Sequence, residues 1–122
     1  MPRIVVVDDE TMIRDVLVRR LALWGYPEAI GVVPEGSAGR TTQLVLDAEP
    51  DIVVSDHDLK LNFTGVDVVE RLRLEGFKGK IIVFSSLPTE AQRALFGPYE
   101  IAAYVIKPDL EGLKESLARV AK

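Results

Sequence analysis

The chain is 122 residues long, 48% hydrophobic and 28% charged, with a formal net charge of −4 and no cysteine. That length suits one domain around a single core, and the lack of cysteine removes disulfide frameworks and thiol chemistry. The acidic balance argues against a nucleic-acid surface, which needs a basic patch, and the apolar runs are strand-length, too short to span a bilayer.

The N-terminus runs straight into a strand and lacks signal-peptide architecture, so a cytoplasmic location is expected. Ile4–Val7 is that first strand, and it stops on Asp8-Asp9-Glu10. Ile13, Val16, Leu17, Leu21 and Trp24 then recur at helical spacing, with Gly25 as the stop. Ala29–Val33 predicts a weaker strand, closed by Pro34-Glu35-Gly36. Ser37 caps a helix that turns Ala38, Thr41, Leu44, Val45 and Ala48 inward and ends at Pro50. Ile52–Ser55 follows, a β-branched run that suits a strand buried on both faces, and it ends on Asp56-His57-Asp58.

Residues 58–63 form a loop, and Thr64 caps a helix buried through Val68, Val69 and Leu72. Gly76 and Gly79 frame the turn into a fourth strand, Lys80–Phe84, which stops on Ser85-Ser86. A short helix runs to about Phe96 and breaks at Gly97-Pro98. The fifth strand, Ala102–Ile106, ends on Lys107-Pro108, and Asp109 caps a last helix burying Leu110, Leu113, Leu117 and Val120. The alternation predicts an α/β protein of (βα)5 type with a parallel sheet, one domain over residues 1–122.

In such a sheet the residues that follow each strand share one edge, where ligands gather. Asp8, Asp9 and Glu10 after the first strand and Asp56 and Asp58 after the third would repel one another there unless a cation joined them, and a hard, oxygen-seeking ion such as Mg²⁺ suits the set. A Ser85 hydroxyl and a Lys107 ammonium at the same edge suit a phosphoryl group, whose transfer depends on positioning and charge neutralisation. A carboxylate can itself be the nucleophile, and Asp56, alone at the end of the strand read as the most buried, is the candidate.

Val5-Val6-Val7-Asp8-Asp9-Glu10, the Asp56 strand, Ser85-Ser86 and Ala103-Tyr104-Val105-Ile106-Lys107-Pro108 together resemble the response-regulator receiver domain of two-component signalling. The resemblance covers essentially the whole chain, in the family's order. It implies a flavodoxin-like, doubly wound sheet of order 2-1-3-4-5, with Asp56 as phosphoacceptor and Asp8 and Asp9 as the acidic pair, Asp9 the more direct Mg²⁺ ligand. The backbone carbonyl of Asp58 would be a further ligand, Ser85 the switch hydroxyl, Lys107 the lysine before a cis peptide to Pro108, and Tyr104 the switch aromatic. The implied partners are a sensor histidine kinase or histidine phosphotransfer protein and an output partner or effector domain, with a homodimer left open. No effector sequence follows Val120-Ala121-Lys122, so either a stand-alone receiver or one excised from a longer protein is expected.

Two features depart from the family pattern. Lys60 stands where a proline is usual, in a loop about one residue longer, and the fourth helix is short and interrupted by Pro98. His57 is expected to be a solvent-exposed neighbour of the site, and Asp58 to place a further negative side chain beside the acceptor. Two other readings stay open. One is a receiver-like docking module that phosphorylation does not regulate. The other is a small Asp-nucleophile phosphatase using Asp56-His57-Asp58.

Overall fold

In the computed structural model, which describes residues 2–121, one sheet of five parallel strands has the order β2-β1-β3-β4-β5. In chain order the elements are β1 (Ile4–Val7), α1 (Thr11–Leu23), β2 (Ile30–Val32), α2 (Ala38–Asp47), β3 (Ile52–Ser55), α3 (Gly65–Leu74), β4 (Lys80–Ser85), α4 (Thr89–Phe96), β5 (Ala103–Ile106) and α5 (Leu110–Val120), with a 3-10 turn at Gly97–Tyr99. This is the flavodoxin-like, doubly wound arrangement that the alternating pattern and the resemblance imply.

The sheet is held by apolar layers on both faces. Alternate side chains of each strand point to opposite sides. Val5, Val7, Val53, Ile81 and Val83 meet Val45 of α2, Val68, Val69 and Leu72 of α3, and Phe96 of α4. Ile4, Val6, Ile52, Val54, Ile82 and Phe84 meet Leu17 and Leu21 of α1 and Leu113 and Leu117 of α5. Each such side chain contributes about 2 kcal/mol on burial. β1 and β3, buried along their whole length, are therefore the most firmly held strands, and they deliver Asp8 and Asp56.

The helix starts follow the expected chemistry. The Ser37 hydroxyl accepts from the Arg40 amide at 3.0 Å, Thr64 and Asp67 form a reciprocal capping box, and Asp109 accepts from the Gly112 amide at 2.9 Å. Strand limits differ from the sequence expectation by a residue or so. β2 is trimmed to Ile30–Val32 at the sheet edge, where Val33 is exposed. β4 extends to include Ser85, and β5 starts at Ala103, with Ala102 donating to the Ile81 carbonyl from just outside it.

One helical stripe needs correcting. Val16 is exposed, and the buried side chains of α1 are Arg14, Leu17 and Leu21. Arg14 lies three residues before Leu17 and seven before Leu21, on the same inward stripe, whereas Val16 falls beside it. The guanidinium escapes an apolar grave by donating to the Asp8 carbonyl and to the Thr11 hydroxyl, the latter at 3.1 Å.

Gly65 opens α3 directly against the end of β3. Its amide donates to the His57 carbonyl at 2.7 Å, and a Cβ here would overlap the Asp56 carbonyl oxygen. Because the obstacle is backbone, it cannot swing away. Gly65→Ala is expected to lose about 3 kcal/mol in urea unfolding, at the upper end of ordinary overpacking. An unchanged midpoint would show that α3 can back away from the strand.

Candidate functional site at the carboxyl edge of the sheet

Asp8 leaves β1, Asp56 leaves β3 and Lys107 leaves β5, and their side chains converge. The Lys107 ammonium donates to Asp8 Oδ2 at 2.7 Å and to Asp56 Oδ2 at 3.1 Å. The side chains are mostly out of water, at 12% exposure for Lys107, 2% for Asp8 and 7% for Asp56. The remaining carboxylate oxygens face backbone donors. Asp8 Oδ1 accepts from the Glu10 amide at 2.9 Å and Asp56 Oδ1 from the His57 amide at 2.8 Å. The Lys107–Pro108 peptide is cis, as the resemblance implies.

Burial pushes the Asp56 carboxyl above its ordinary value, Lys107 pulls it back and Asp8 adds to the rise. For Lys107, burial alone would lower the pKa, but its hydrogen bond to Asp8 and the charges of Asp56 and Asp8 outweigh that and raise it. The ammonium is therefore firmly charged at neutral pH.

Carboxylate oxygens of Asp8, Asp9 and Glu10 lie within 4.8 Å of one another. Burial, then the charge of Asp8, raises the Asp9 carboxyl. The set is all hard oxygen and crowded with like charge, with one ammonium beside it, so it fits a divalent cation of the Mg²⁺ type. Asp56 stands outside this mutual cluster and joins it through Lys107. The Asp58 carboxylate points elsewhere. It is exposed, accepts from the Lys60 amide at 3.0 Å and pairs with the Lys60 ammonium at 3.5 Å, and the Lys60 amide holds its pKa below the ordinary carboxylate value. Lys60 adopts φ 58°, which a proline ring forbids, so this loop follows a path the more usual residue could not take.

Ser85 and Ser86 differ in burial. Ser85 is buried at the end of β4 and its hydroxyl accepts from the Leu87 amide at 3.2 Å, whereas Ser86 is exposed. Tyr104 is half-buried on β5 with the Arg93 guanidinium 5.0 Å from its ring centroid. Burial raises its pKa, and Arg93 opposes the rise. His57 is not the solvent-exposed neighbour expected. It is half-buried, with its ring edge-on at 6.2 Å to Phe96, the last residue of α4.

Three residues that the sequence reading did not single out matter to the site. Gly65 lets α3 approach Asp56, and its signal was a glycine directly after a capping threonine. Arg14 fixes the Asp8 main chain, and its signal was position, on the stripe of Leu17 and Leu21. Gln92 of α4 is fully buried and donates to the Ser85, Leu87 and Val105 carbonyls at 3.3, 2.8 and 3.1 Å. It sits one turn before Phe96, the other buried side chain of that helix.

The family model described as the response regulator receiver domain matches residues 4–118. Two curated relatives are protein-glutamate methylesterase/protein-glutamine glutaminases. One, from Trichodesmium erythraeum, is 25% identical over 93% of this chain, and the other, from Koribacter versatilis, is 28% identical over 98%. The chain spans 32% of the length of each. Among solved structures, the chemotaxis protein CheY4 of Vibrio cholerae superposes with a TM-score of 0.82 at 21% identity, covering 98% of both chains. The response regulator protein TrrA of Thermotoga maritima, in complex with Mg²⁺ and BeF, superposes with a TM-score of 0.78 at 24% identity, covering 98% of this chain and 99% of that one. At these identities the structural likeness speaks for the fold.

The crowding of Asp9 has a measurable sign. Its folded pKa lies above the ordinary 3.8, so the ionised form costs stability at neutral pH, and the cost disappears as pH falls below that ordinary value. Without divalent cations at pH 7, Asp9→Asn is expected to be more stable than the parent by about 0.5 kcal/mol, a small gain because solvent screens the group. Millimolar Mg²⁺ should raise the melting temperature of the parent and leave the variant nearly unmoved. Equal Mg²⁺ responses would take Asp9 out of the cation site.

Proposed function

Because the chain belongs to the response regulator receiver domain family, we propose that residues 1–122 act as one receiver domain that accepts a phosphoryl group on Asp56 and switches conformation to control an output partner. The observation that carries the reading is the buried Lys107 ammonium shared between Asp8 and Asp56 beside an all-oxygen acidic cluster. The donor is the phosphohistidine of a sensor kinase or histidine phosphotransfer protein. An Asp56 oxygen attacks the phosphorus, the O–P bond forms as the P–N bond breaks, and the departing imidazole takes up a proton. Transfer from such a donor suits a domain in the cytoplasm.

Asp8, Asp9, Asp56 and the Asp58 carbonyl would hold Mg²⁺, which when bound supplies charge neutralisation at the transferring group. Lys107 is already charged and buried next to Asp56, so it can turn to a phosphoryl oxygen without losing solvent. Ser85 can exchange the Leu87 amide for the phosphoryl, and Tyr104 can follow it inward. The phosphoryl thereby favours one of two arrangements of the α4–β5 face. The domain's own chemistry is limited to gaining and slowly hydrolysing this group, so it is a signalling domain without a turned-over substrate.

An apolar groove supports the donor assignment. Met12, Ile13 and Val16 of α1, with Pro108 and Leu110, line a depression of about 280 Å³ whose rim includes Lys107. Met12 is 80% exposed and Val16 44%. Such a patch suits the apolar stripe of a partner helix, which would present its histidine to Asp56.

Intact-mass analysis with a small phosphodonor tests the acceptor. A single phosphoryl adduct is expected with Mg²⁺ on the parent and none on Asp56→Asn. No adduct on the parent from small donors or from a panel of histidine kinases would overturn the reading in favour of an unregulated docking module. Val16→Asp tests the groove. It should slow transfer from a kinase by about tenfold or more, the cost of burying a charge in an apolar contact, and leave the small-donor rate within about twofold. Equal slowing with both donors would point to damage at the site itself.

A further inference from the structure

We propose that Gln92 is a positioning residue that ties Ser85 to α4 and to the outer edge of β5, so that a displacement of Ser85 moves both. The inference rests on the acceptor reading above, in which Ser85 turns toward a phosphoryl group on Asp56.

α4 is a short helix, and Gln92 and Phe96 are its buried side chains among the described residues. Both lead back to the site. Phe96 meets the ring of His57, the residue after Asp56, edge-on at 6.2 Å. Gln92 places its amide nitrogen among three carbonyls, those of Ser85 at 3.3 Å, Leu87 at 2.8 Å and Val105 at 3.1 Å. An amide nitrogen carries only two hydrogens, so these carbonyls compete for it. The Gln92 carbonyl oxygen is buried without a hydrogen-bond partner among the described residues.

Each acceptor sits at a useful place. The Ser85 carbonyl also accepts from the Lys107 amide at 2.8 Å, so it is joined to the two elements that carry the site's hydroxyl and ammonium. Leu87 begins the turn into α4, and its amide is the present partner of the Ser85 hydroxyl. Val105 lies between Tyr104 and Ile106 on β5, an edge strand whose outer carbonyls have no neighbouring strand to pair with. The Gln92 side chain thus joins the hydroxyl's own residue, the loop it would leave and the strand that bears Tyr104.

A side chain with more acceptors than hydrogens can shift its bonds among them while keeping both hydrogens bonded, and the Ser85 carbonyl, when given up, still accepts from the Lys107 amide. When Ser85 turns inward its carbonyl and the Leu87 amide move together. The Gln92 amide then redistributes its bonds and draws α4 with it. An apolar side chain of the same volume would fill the space and transmit nothing.

The experiment compares the parent with Gln92→Met, each labelled with 3-fluorotyrosine, using beryllofluoride with Mg²⁺ as the phosphoryl analogue. Calorimetry reads binding at Asp56, and the ¹⁹F resonance of Tyr104, assigned with Tyr104→Phe, reads β5. Gln92→Met should bind the analogue within about threefold of the parent while its Tyr104 shift change falls to about a fifth, an uncoupling of two sites that each remain intact. A full Tyr104 response in Gln92→Met overturns the proposal, even if the variant is less stable, because that is the signature of a merely structural side chain. If Gln92→Met does not fold, Gln92→Asn keeps the amide but withdraws it by one methylene, and the same two outcomes apply. Failure of the parent to bind beryllofluoride in an Asp56-dependent manner overturns the acceptor reading itself, and this proposal with it.

Discussion

Two strands of the sheet end in carboxylates that would not tolerate one another alone, and a single ammonium from a third strand makes their meeting possible. Lys107 sits between Asp8 and Asp56, close enough to hydrogen-bond both, in a place where water does little to screen them. Removing either partner of a buried pair leaves an uncompensated charge, which costs more than the pair itself contributes. The trio is therefore interdependent. Because Asp8 comes from β1, Asp56 from β3 and Lys107 from β5, the ammonium also measures whether β1, β3 and β5 end at the same level. Any register error in the parallel ladder would pull it off one carboxylate.

The backbone around the trio is arranged to keep that geometry. Arg14 reaches from the inner stripe of α1 to the Asp8 carbonyl, and the amide of Gly65 reaches from the start of α3 to the His57 carbonyl. These contacts act on the main chain. They fix where each carboxylate begins while leaving its oxygens to the ammonium and to backbone amides. Asp58, by contrast, is exposed and committed to Lys60, two residues along in the loop.

The strands and their ends were legible because both signals are local. A β-branched run that stops on a carboxylate, hydroxyl or lysine can be read without knowing its neighbours, and parallel topology then gathers the stops on one edge. What escaped was whatever depends on depth. Arg14 and Gln92 have the residue types of a surface, and only their position on an inward helical stripe marks them as buried. Val16 has the residue type of a core and lies beside the stripe. His57 was misplaced for the same reason, since nothing in a histidine after a strand announces that Phe96, many residues later, will pass beside its ring. Lys60 gave no sign of its left-handed backbone, because lysine has no preference for it. That Ser85 is buried and Ser86 exposed follows from the strand's true end, which sequence leaves uncertain by a residue.

The layering of the sheet has a consequence for traffic at the molecule. α1 and α5 cover one face and carry the apolar groove, while α2, α3 and α4 cover the other, with Gln92 and Phe96 pinning α4 there. A helix seated in the groove leaves α4 uncovered. On the proposed reading, with the donor in the groove and the output at α4, arrival and departure use separate doors, and a message can be collected before its bearer has left.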